Sequence, residues 1–145
     1  MTDQRDPLRV VATPRLGLST ATIAAIFIGG GLGTVARFLL DTTFAEHGEQ
    51  FPTLTLLINL SGSLLIGFLV ARVERVASRA PLLRPFLIVG VLGGWTTYST
   101  LAVNGVTLLQ NGHVATCLFY LAATVAGGAA LVVLGNGAGR RMAGR

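Results

Sequence analysis

Long apolar stretches alternate with short polar segments along this chain. A window of about 19 residues finds four apolar blocks, at residues 20–40, 53–71, 86–109 and 114–134. Each block can cross a hydrocarbon core of about 30 Å as a helix. The first block is longer than the apolar region of a signal peptide, about 7–15 residues, and no A-x-A-like cleavage site follows it. The pattern therefore predicts an all-α integral membrane protein with four transmembrane helices.

The composition agrees with a membrane protein. Only 12% of the 145 residues are charged and the mean hydropathy is +0.69, so the chain cannot supply the polar surface of a soluble domain of this size. We expect a cytoplasmic N-terminal tail at residues 1–19, one four-helix membrane domain at 20–136 and a basic cytoplasmic C-terminal tail at 137–145. This organisation leaves no room for a soluble catalytic domain.

The basic residues predict how the helices are oriented. All eleven are arginine, and the loops after the first and third blocks contain none. Ten of them precede the first block, flank the segment between the second and third blocks, or follow the fourth: Arg5, Arg9, Arg15, Arg72, Arg75, Arg79, Arg84, Arg140, Arg141 and Arg145. The positive-inside rule places these segments, and both termini, on the cytoplasmic side of the cell membrane. A polybasic surface for anionic lipid is compatible with the same orientation, and the distribution indicates topology rather than nucleic-acid binding.

Two polar residues stand out in the first two blocks. Arg37 lies near the outer end of the first block, where its guanidinium either reaches the interface or attracts anions into an outer vestibule. Asn59 lies in the second block and shares a helix face with Ser63, four residues further on. Its amide either makes an interhelical hydrogen bond that holds the bundle together or offers N–H groups to a dehydrated anion.

The third block contains a segment, GGWTTYST, that is unfavourable for a continuous helix. Gly93 and Gly94 are followed by β-branched residues, so we expect this helix to break in mid-membrane. Such a break must be buried in protein or line an aqueous path. The freed carbonyls can hold a cation, Ser99 and the neighbouring threonines offer hydroxyls, and Tyr98 presents the positive edge of its ring to an anion.

The fourth block places Tyr120 and Thr124 on one helix face, a pattern that is also typical of plain helix packing. No block contains Asp, Glu or His. This argues against proton-coupled transport and metal transport, and it makes a small multidrug-type transporter, which needs a membrane-embedded glutamate, a poorer fit. No motif for nucleophilic, phosphate or metal chemistry indicates an enzyme. A non-conducting structural or regulatory membrane subunit, whose polar residues only pack helices, stays open.

Three stretches together resemble the Fluc fluoride channels, also called the CrcB family, over nearly all of residues 24–136. GGGLGTVARF (29–38) matches the GG-x-x-G-x-x-x-R signature of the family's first helix. FPTLTLLINLSGSLLIGF (51–68) is similar to its second-helix pattern, with Asn59 at the pore asparagine. GVLGGWTTYSTL (90–101) is similar to the third-helix break G-x-x-GG-x-TTFSTF.

The resemblance implies an antiparallel dimer with two narrow pores that conduct fluoride passively out of the cell and so lower its toxicity. It also implies a structural sodium ion at the dimer centre, held by backbone carbonyls of the broken third helix. The family's residues map onto this chain as follows: pore residues to Asn59, Tyr98, Ser99 and Thr124, with Tyr120 nearby, the vestibule arginine to Arg37, and the sodium-binding carbonyls to Gly93 and Thr96.

The chain departs from the family pattern in its third helix. TTFSTF reads TTYSTL here, so Tyr98 replaces one phenylalanine and Leu101 the other, and Asn104 stands where a glutamate is often found. An antiparallel homodimer also needs one sequence to insert in both orientations, which the one-sided arginines oppose. The family includes paired paralogues that insert oppositely. We therefore expect this chain to assemble with an oppositely oriented paralogue, or otherwise with itself.

Overall fold

The computed structural model describes residues 19–44, 51–76 and 78–143 of the chain, and every regular element within them is a helix. The first two helices are α1 (Thr20–Thr43) and α2 (Thr53–Val76). A π-helical stretch, Pro85–Leu92, then runs directly into an α-helical turn, Gly93–Trp95, and we call the two together α3. The last two helices are α4 (Tyr98–Gln110) and α5 (Val114–Ala143).

Four helical segments of the described chain are long and apolar enough to cross a membrane. They are Thr20–Thr43, Thr53–Glu74, Pro85–Gln110, which combines α3 and α4, and Val114–Met142. These segments contain the four apolar blocks of the sequence, so the prediction of an all-helical protein with four helices able to cross a membrane is confirmed.

The last helix continues past its apolar block. α5 ends at Ala143, so the expected C-terminal tail is helical over residues 137–143. Arg140 Nε donates to Asn136 Oδ1 at 2.7 Å across one turn, and the arginines of the last turn complement the helix dipole. Hydropathy shows where a helix leaves the lipid, whereas backbone hydrogen bonding decides where it ends. The expected N-terminal tail lies outside the described residues, except Ser19, whose side chain caps α1.

The third span is interrupted between α3 and α4. α3 ends at Trp95, and both Thr96 (φ −71°, ψ 154°) and Thr97 (φ −139°, ψ 122°) have extended backbone conformations. The Thr97 hydroxyl accepts a hydrogen bond from the Thr100 N–H at 3.1 Å, which makes Thr97 the N-cap of α4. Threonine is a preferred N-cap residue because its side chain satisfies one of the free N–H groups at a helix start. The sequence therefore stops one helix and starts another within two residues.

Two helix pairs in backbone contact form most of the bundle. α1 packs along α3 with Gly33 against the Val91 carbonyl, and α2 packs along α5 with Gly67 against the Val132 carbonyl. A Cβ atom at either glycine would overlap these backbone atoms, so the helix axes can approach this closely only because both positions are glycine. α4 packs mainly against α5 and less extensively against α2.

Both pairs are parallel, which brings the arginines together. Along the first pair, Ile26 approaches Gly90 and Thr34 approaches Gly94; along the second, Leu60 approaches Gly127 and Ala71 approaches Gly139. The starts of α1 and α3 and the ends of α2 and α5 therefore share one end of the bundle. Five exposed arginines lie there: Arg72, Arg79, Arg84, Arg140 and Arg141. The arginines within residues 1–18 and Arg145 lie outside the described residues.

Gly33→Ala should destabilise the α1–α3 contact, because the added methyl group must displace the Val91 carbonyl. Overpacking of this kind typically costs about 1–3 kcal/mol. Gly31→Ala is the matched control, since nothing lies within 4 Å of a Cβ atom built at Gly31. Thermal unfolding of both variants in the same detergent should show a lower midpoint for Gly33→Ala alone. Equal midpoints would contradict the packing described here.

Candidate functional site

A two-point hydrogen bond between α2 and the interrupted span forms the centre of the site. Asn59 Nδ2 donates to the Thr97 carbonyl at 3.0 Å, and the Thr97 N–H donates to Asn59 Oδ1 at 2.8 Å. Both residues are buried, with exposed fractions of 9% and 7%. Buried backbone groups must find partners. Thr97 lies between α3 and α4, and the side-chain amide of Asn59 satisfies both its N–H and its carbonyl. Asn59 therefore fixes the interruption against α2.

Trp95 ties the end of α3 to the same part of α2. Its Nε1–H lies 3.1 Å from both the Ile58 carbonyl and Ser61 Oγ. Thr96 Oγ1 donates to the Leu92 carbonyl at 2.9 Å, back into its own helix. Trp95, Thr96 and Thr97 are thus anchored to α2, α3 and α4 by side-chain hydrogen bonds.

An open cleft with a volume of about 290 Å³ lies beside this hydrogen-bonded pair. It is lined by Asn59, Ser63, Ile66, Thr96, Thr97, Tyr98, Leu101 and Thr124. The structure thus brings together three of the predicted pore residues, from α2, α4 and α5. Ser99 is close to the cleft through its hydroxyl, 3.2 Å from Thr97 Oγ1. Ile66 was not predicted, although its spacing from Asn59 and Ser63 places it on the same helix face.

The hydrogen-bond donors of the cleft are partly engaged. Ser63 Oγ donates to the Asn59 carbonyl at 2.9 Å, and Thr124 Oγ1 donates to the Tyr120 carbonyl at 2.8 Å. Each hydroxyl has a single hydrogen, so it must rotate away from its own helix before it can bind an anion. The Asn59 amide has two hydrogens and uses one for the Thr97 carbonyl, which leaves the other for a ligand.

Tyr120 is not among the residues that line the cleft. It is fully buried, with an exposed fraction of 0%, in an apolar cluster with Leu101, Leu108 and Cys117. Its ring meets Phe51 edge-on, with the centroids 5.8 Å apart. The Tyr120 hydroxyl forms instead the border of a separate polar cluster: Asn104 Nδ2 lies 3.5 Å from Tyr120 Oη and 3.1 Å from Thr55 Oγ1.

Arg37 contacts two neighbours. Its Nε donates to the Gly94 carbonyl at 3.3 Å, and its Nη1 pairs with Asp41 Oδ2 at 3.2 Å. The Arg37 side chain is 21% exposed and that of Asp41 is 34% exposed. Arg37 therefore connects α1 to the end of α3, and a carboxylate one turn further along α1 offsets its charge.

Gly93 and Thr96 have backbone geometry that fits a cation held by carbonyl oxygens. The Thr97 N–H bonds to Asn59, so the Gly93 carbonyl, four residues earlier, lacks its usual helical donor. Thr96 is extended, which turns its carbonyl away from the direction of the helix carbonyls. Carbonyls freed in this way are suitable ligands for a monovalent cation. Among the described residues no group of three or more His, Cys, Asp or Glu side chains could hold a metal ion instead.

Comparison with known proteins identifies one family. The CrcB-like proteins (CrcB-like protein, Camphor Resistance) match residues 24–136, which include part of every helix. A protein from Nocardia farcinica named fluoride-specific ion channel FluC 2 is 43% identical over 85% of this chain and 88% of its own length. FluC 2 from Bacillus subtilis is 41% identical over 83% of this chain and 89% of its own length. Fluoride-specific ion channel FluC from Agrobacterium fabrum is 37% identical over 83% of this chain and 97% of its own length.

Asn59→Ala should destabilise the fold strongly, because it leaves the Thr97 N–H and carbonyl buried without partners. Each unpaired buried group costs about 1–3 kcal/mol. Ser63→Ala, on the same face of α2, is the matched control, because the Ser63 hydroxyl bonds only to a carbonyl of its own helix. The free energies of unfolding in mixed detergent micelles compare the two. A loss for Asn59→Ala no larger than that for Ser63→Ala would show that the two-point hydrogen bond does not hold the span.

Proposed function

The chain belongs to the CrcB-like family, and from this premise we propose that it is a subunit of a fluoride-specific ion channel in the cell membrane. The channel lets fluoride leave the cytoplasm down its gradient, which lowers fluoride toxicity. The observation that carries this proposal is the cleft beside Thr97, where Asn59, Tyr98 and Thr124 come together at an interrupted span. Non-helical backbone at membrane depth is expected where it is buried or lines an aqueous path.

The chemistry of the cleft suits a small, strongly hydrated anion. Fluoride must exchange its water for hydrogen-bond donors. The second N–H of Asn59, the Ser99 hydroxyl and the ring edge of Tyr98 are such donors, and the Thr124 hydroxyl becomes one when it rotates away from the Tyr120 carbonyl. None of the residues that line the cleft carries a full charge. Neutral donors bind the ion weakly enough that it can leave again, which conduction requires.

The cleft is completed by a second subunit. Tyr98 belongs to the cleft wall, yet its side chain is 82% exposed in the single chain, and the cleft is open beside it. An antiparallel partner covers this opening and contributes its own residues, so that two pores form along the dimer. The remaining apolar exposure, such as that of Val125 at 70% and Val133 at 71%, faces the lipid.

A sodium ion at the dimer centre fits the same geometry. The carbonyls of Gly93 and Thr96 would hold it. The Gly93 carbonyl lacks its helical donor because the Thr97 N–H bonds to Asn59, and the Thr96 carbonyl is reoriented because the Thr96 backbone is extended. When bound, the ion supplies a positive charge that links the interrupted spans of both subunits. Asn59 therefore contributes to both the fluoride pore, which it lines, and the sodium site, where its bond to Thr97 frees the Gly93 carbonyl.

The partner is an oppositely oriented paralogue. All the described arginines except Arg37 lie at one end of the bundle, and such a bias favours a single orientation, with both termini in the cytoplasm. An antiparallel dimer then needs a second sequence with the opposite bias. Relatives with the numbered names FluC 1, in Nitrobacter hamburgensis, and FluC 2, in Nocardia farcinica, support the existence of paired chains.

Two observations favour a second candidate function, a non-conducting structural subunit. Asn59 uses its amide to hold the backbone of Thr97, which is a structural role in itself. Leu101, a buried aliphatic residue, also lines the cleft where the resemblance implies an aromatic ring. In this alternative the polar residues stabilise the bundle and a partner conducts. Efflux measurements on the partner with and without this chain separate the two functions.

The chain purified alone and reconstituted in liposomes should release fluoride no faster than empty liposomes, because a dimer of this chain alone has Leu101 at both clefts, where the resemblance implies an aromatic ring. Co-reconstitution with an oppositely biased paralogue from the same organism should give rapid fluoride efflux that excludes chloride. An ion-selective electrode measures both. Liposomes containing the paralogue alone are the control.

Three outcomes bear on this proposal differently. Rapid, chloride-excluding efflux from the chain alone would contradict the paired assembly but support the channel. Equal efflux from the paralogue with and without this chain would support a structural subunit. No fluoride efflux from any folded combination would contradict the channel function itself.

Asp41→Asn should raise fluoride efflux at low ionic strength, because the Asp41 carboxylate offsets the Arg37 charge at the vestibule. An ion pair of this exposure is worth up to about 1 kcal/mol, so the increase should be at most about five-fold. It should vanish near 1 M salt, where the Debye length is about 3 Å. Asp41→Glu keeps the charge and is the control. An increase that persists at high salt would place the cause outside electrostatics.

A further inference from the structure

A second cavity, open on one side like the cleft beside Thr97, lies at the arginine-rich end of the bundle, between the start of α1 and the segment that joins α2 to α3. Its volume is about 490 Å³, within the range of about 300–1,000 Å³ typical of ligand sites. It is lined by Ala25, Ala80, Pro81, Leu82, Leu83 and Phe86, so that its wall is almost entirely apolar. None of these residues belongs to the cleft beside Thr97.

The packing of α1 against α3 explains why this space stays open. Gly29 meets the Phe86 carbonyl in backbone contact, and Ala25 lies one turn earlier on α1, beyond that contact. The joining segment folds on itself there, with the Leu83 N–H donating to the Ala80 carbonyl at 3.1 Å. The apolar side chains of this turn line the cavity, and the small side chain of Ala25 on α1 does not fill it.

Two arginines flank the cavity, and neither is paired with a carboxylate among the described residues. Arg79 immediately precedes Ala80, Arg84 immediately follows Leu83, and both side chains are exposed. The ion pair found within the described residues joins Arg37 and Asp41 at the other end of α1, far from Arg79 and Arg84. The cavity thus combines an apolar interior with two uncompensated positive charges at its rim.

We propose that this cavity binds one acyl chain of an anionic phospholipid, whose headgroup phosphate contacts Arg79 and Arg84. The apolar lining matches the acyl chain, and the rim arginines match a negative headgroup better than a zwitterionic one. Their position at the end of two spans is where headgroups lie. Residues 1–18 carry three arginines against two aspartates, so their net positive charge matches two rim arginines less well than an anionic headgroup does.

Native mass spectrometry of the purified channel tests this site with phosphatidylglycerol and phosphatidylcholine of the same acyl chains. The channel should retain phosphatidylglycerol preferentially. The Arg79→Ala/Arg84→Ala double variant should weaken that binding about 30-fold, since each arginine near a headgroup is worth about five-fold, or about 1 kcal/mol. Arg141→Ala, an exposed arginine at the same end, is the matched control and should bind as the wild type does.

Filling the cavity tests whether an acyl chain occupies it. Ala25→Phe should reduce phosphatidylglycerol retention with every arginine intact, whereas Ala24→Phe, on the exposed neighbouring position, should not. Leu82→Asn, which makes the lining polar, replaces Ala25→Phe if circular dichroism shows that variant unfolded. Full phosphatidylglycerol retention in the filled variant would show that the arginines bind the lipid without the cavity, and it would overturn the proposal.

Other occupants give distinct results that also contradict it. Equal retention of both lipids, or an equal loss in Arg141→Ala, would remove the charge complementarity. Competition by millimolar glycerol phosphate would indicate a free-phosphate site. If Ala25→Phe changes the oligomeric state of the channel without changing lipid retention, the cavity would be assigned to a second protein chain.

Discussion

The two-point hydrogen bond between the Asn59 amide and the backbone of Thr97 is the interaction on which the site depends. A span that stops being helical in the membrane exposes an N–H and a carbonyl that no lipid can satisfy. One side chain on α2 satisfies both, and three consequences follow from the same contact. The extended segment is held in place, the cleft opens beside it, and the Gly93 carbonyl is released from its helical donor. A structural role and a role in ion binding are therefore not alternatives for Asn59, because its second N–H stays available while the first holds the backbone.

The cleft beside Thr97 is open on one side in the single chain. α1 is attached chiefly through α3, where Gly33 permits backbone contact, and the Tyr98 ring projects from the surface beside an open cleft. An exposed aromatic ring on a cleft wall is useful only if another surface closes over it. In the antiparallel dimer that we propose, the one-sided arginines exclude a second copy of this chain as the covering surface, because a chain inserted in one orientation cannot supply its own antiparallel partner. On that proposal, topology and pore formation are connected through the charge of the loops.

The spans could be predicted from hydropathy alone, because hydropathy depends on local sequence, whereas Asn59, Tyr98 and Thr124 were assigned to one site through the family resemblance. The hydrogen-bond partner of Asn59 could not be predicted, since Thr97 lies 38 residues away and the pairing needs the three-dimensional arrangement of two helices. Tyr120 shows the same limit: it shares a helix face with Thr124, yet the packing of Phe51 buries its ring away from the cleft. The Arg37–Asp41 ion pair had a local signal, the i, i+4 spacing, that could have been used.

The central claim is that fluoride passes along the cleft between α2, α4 and α5, and site-directed reaction with silver ions tests it most directly. In a Cys117→Ala background, which removes the one native cysteine, Thr124→Cys places a thiol on the cleft wall and Val125→Cys places one on the 70% exposed face beside it. Fluoride efflux from liposomes containing the active channel is recorded before and after silver addition. The account predicts that silver stops efflux through the Thr124→Cys channel and leaves the Val125→Cys channel unaffected. Continued efflux from silver-treated Thr124→Cys channels, or equal block of both, would contradict the assignment of the cleft as the fluoride path.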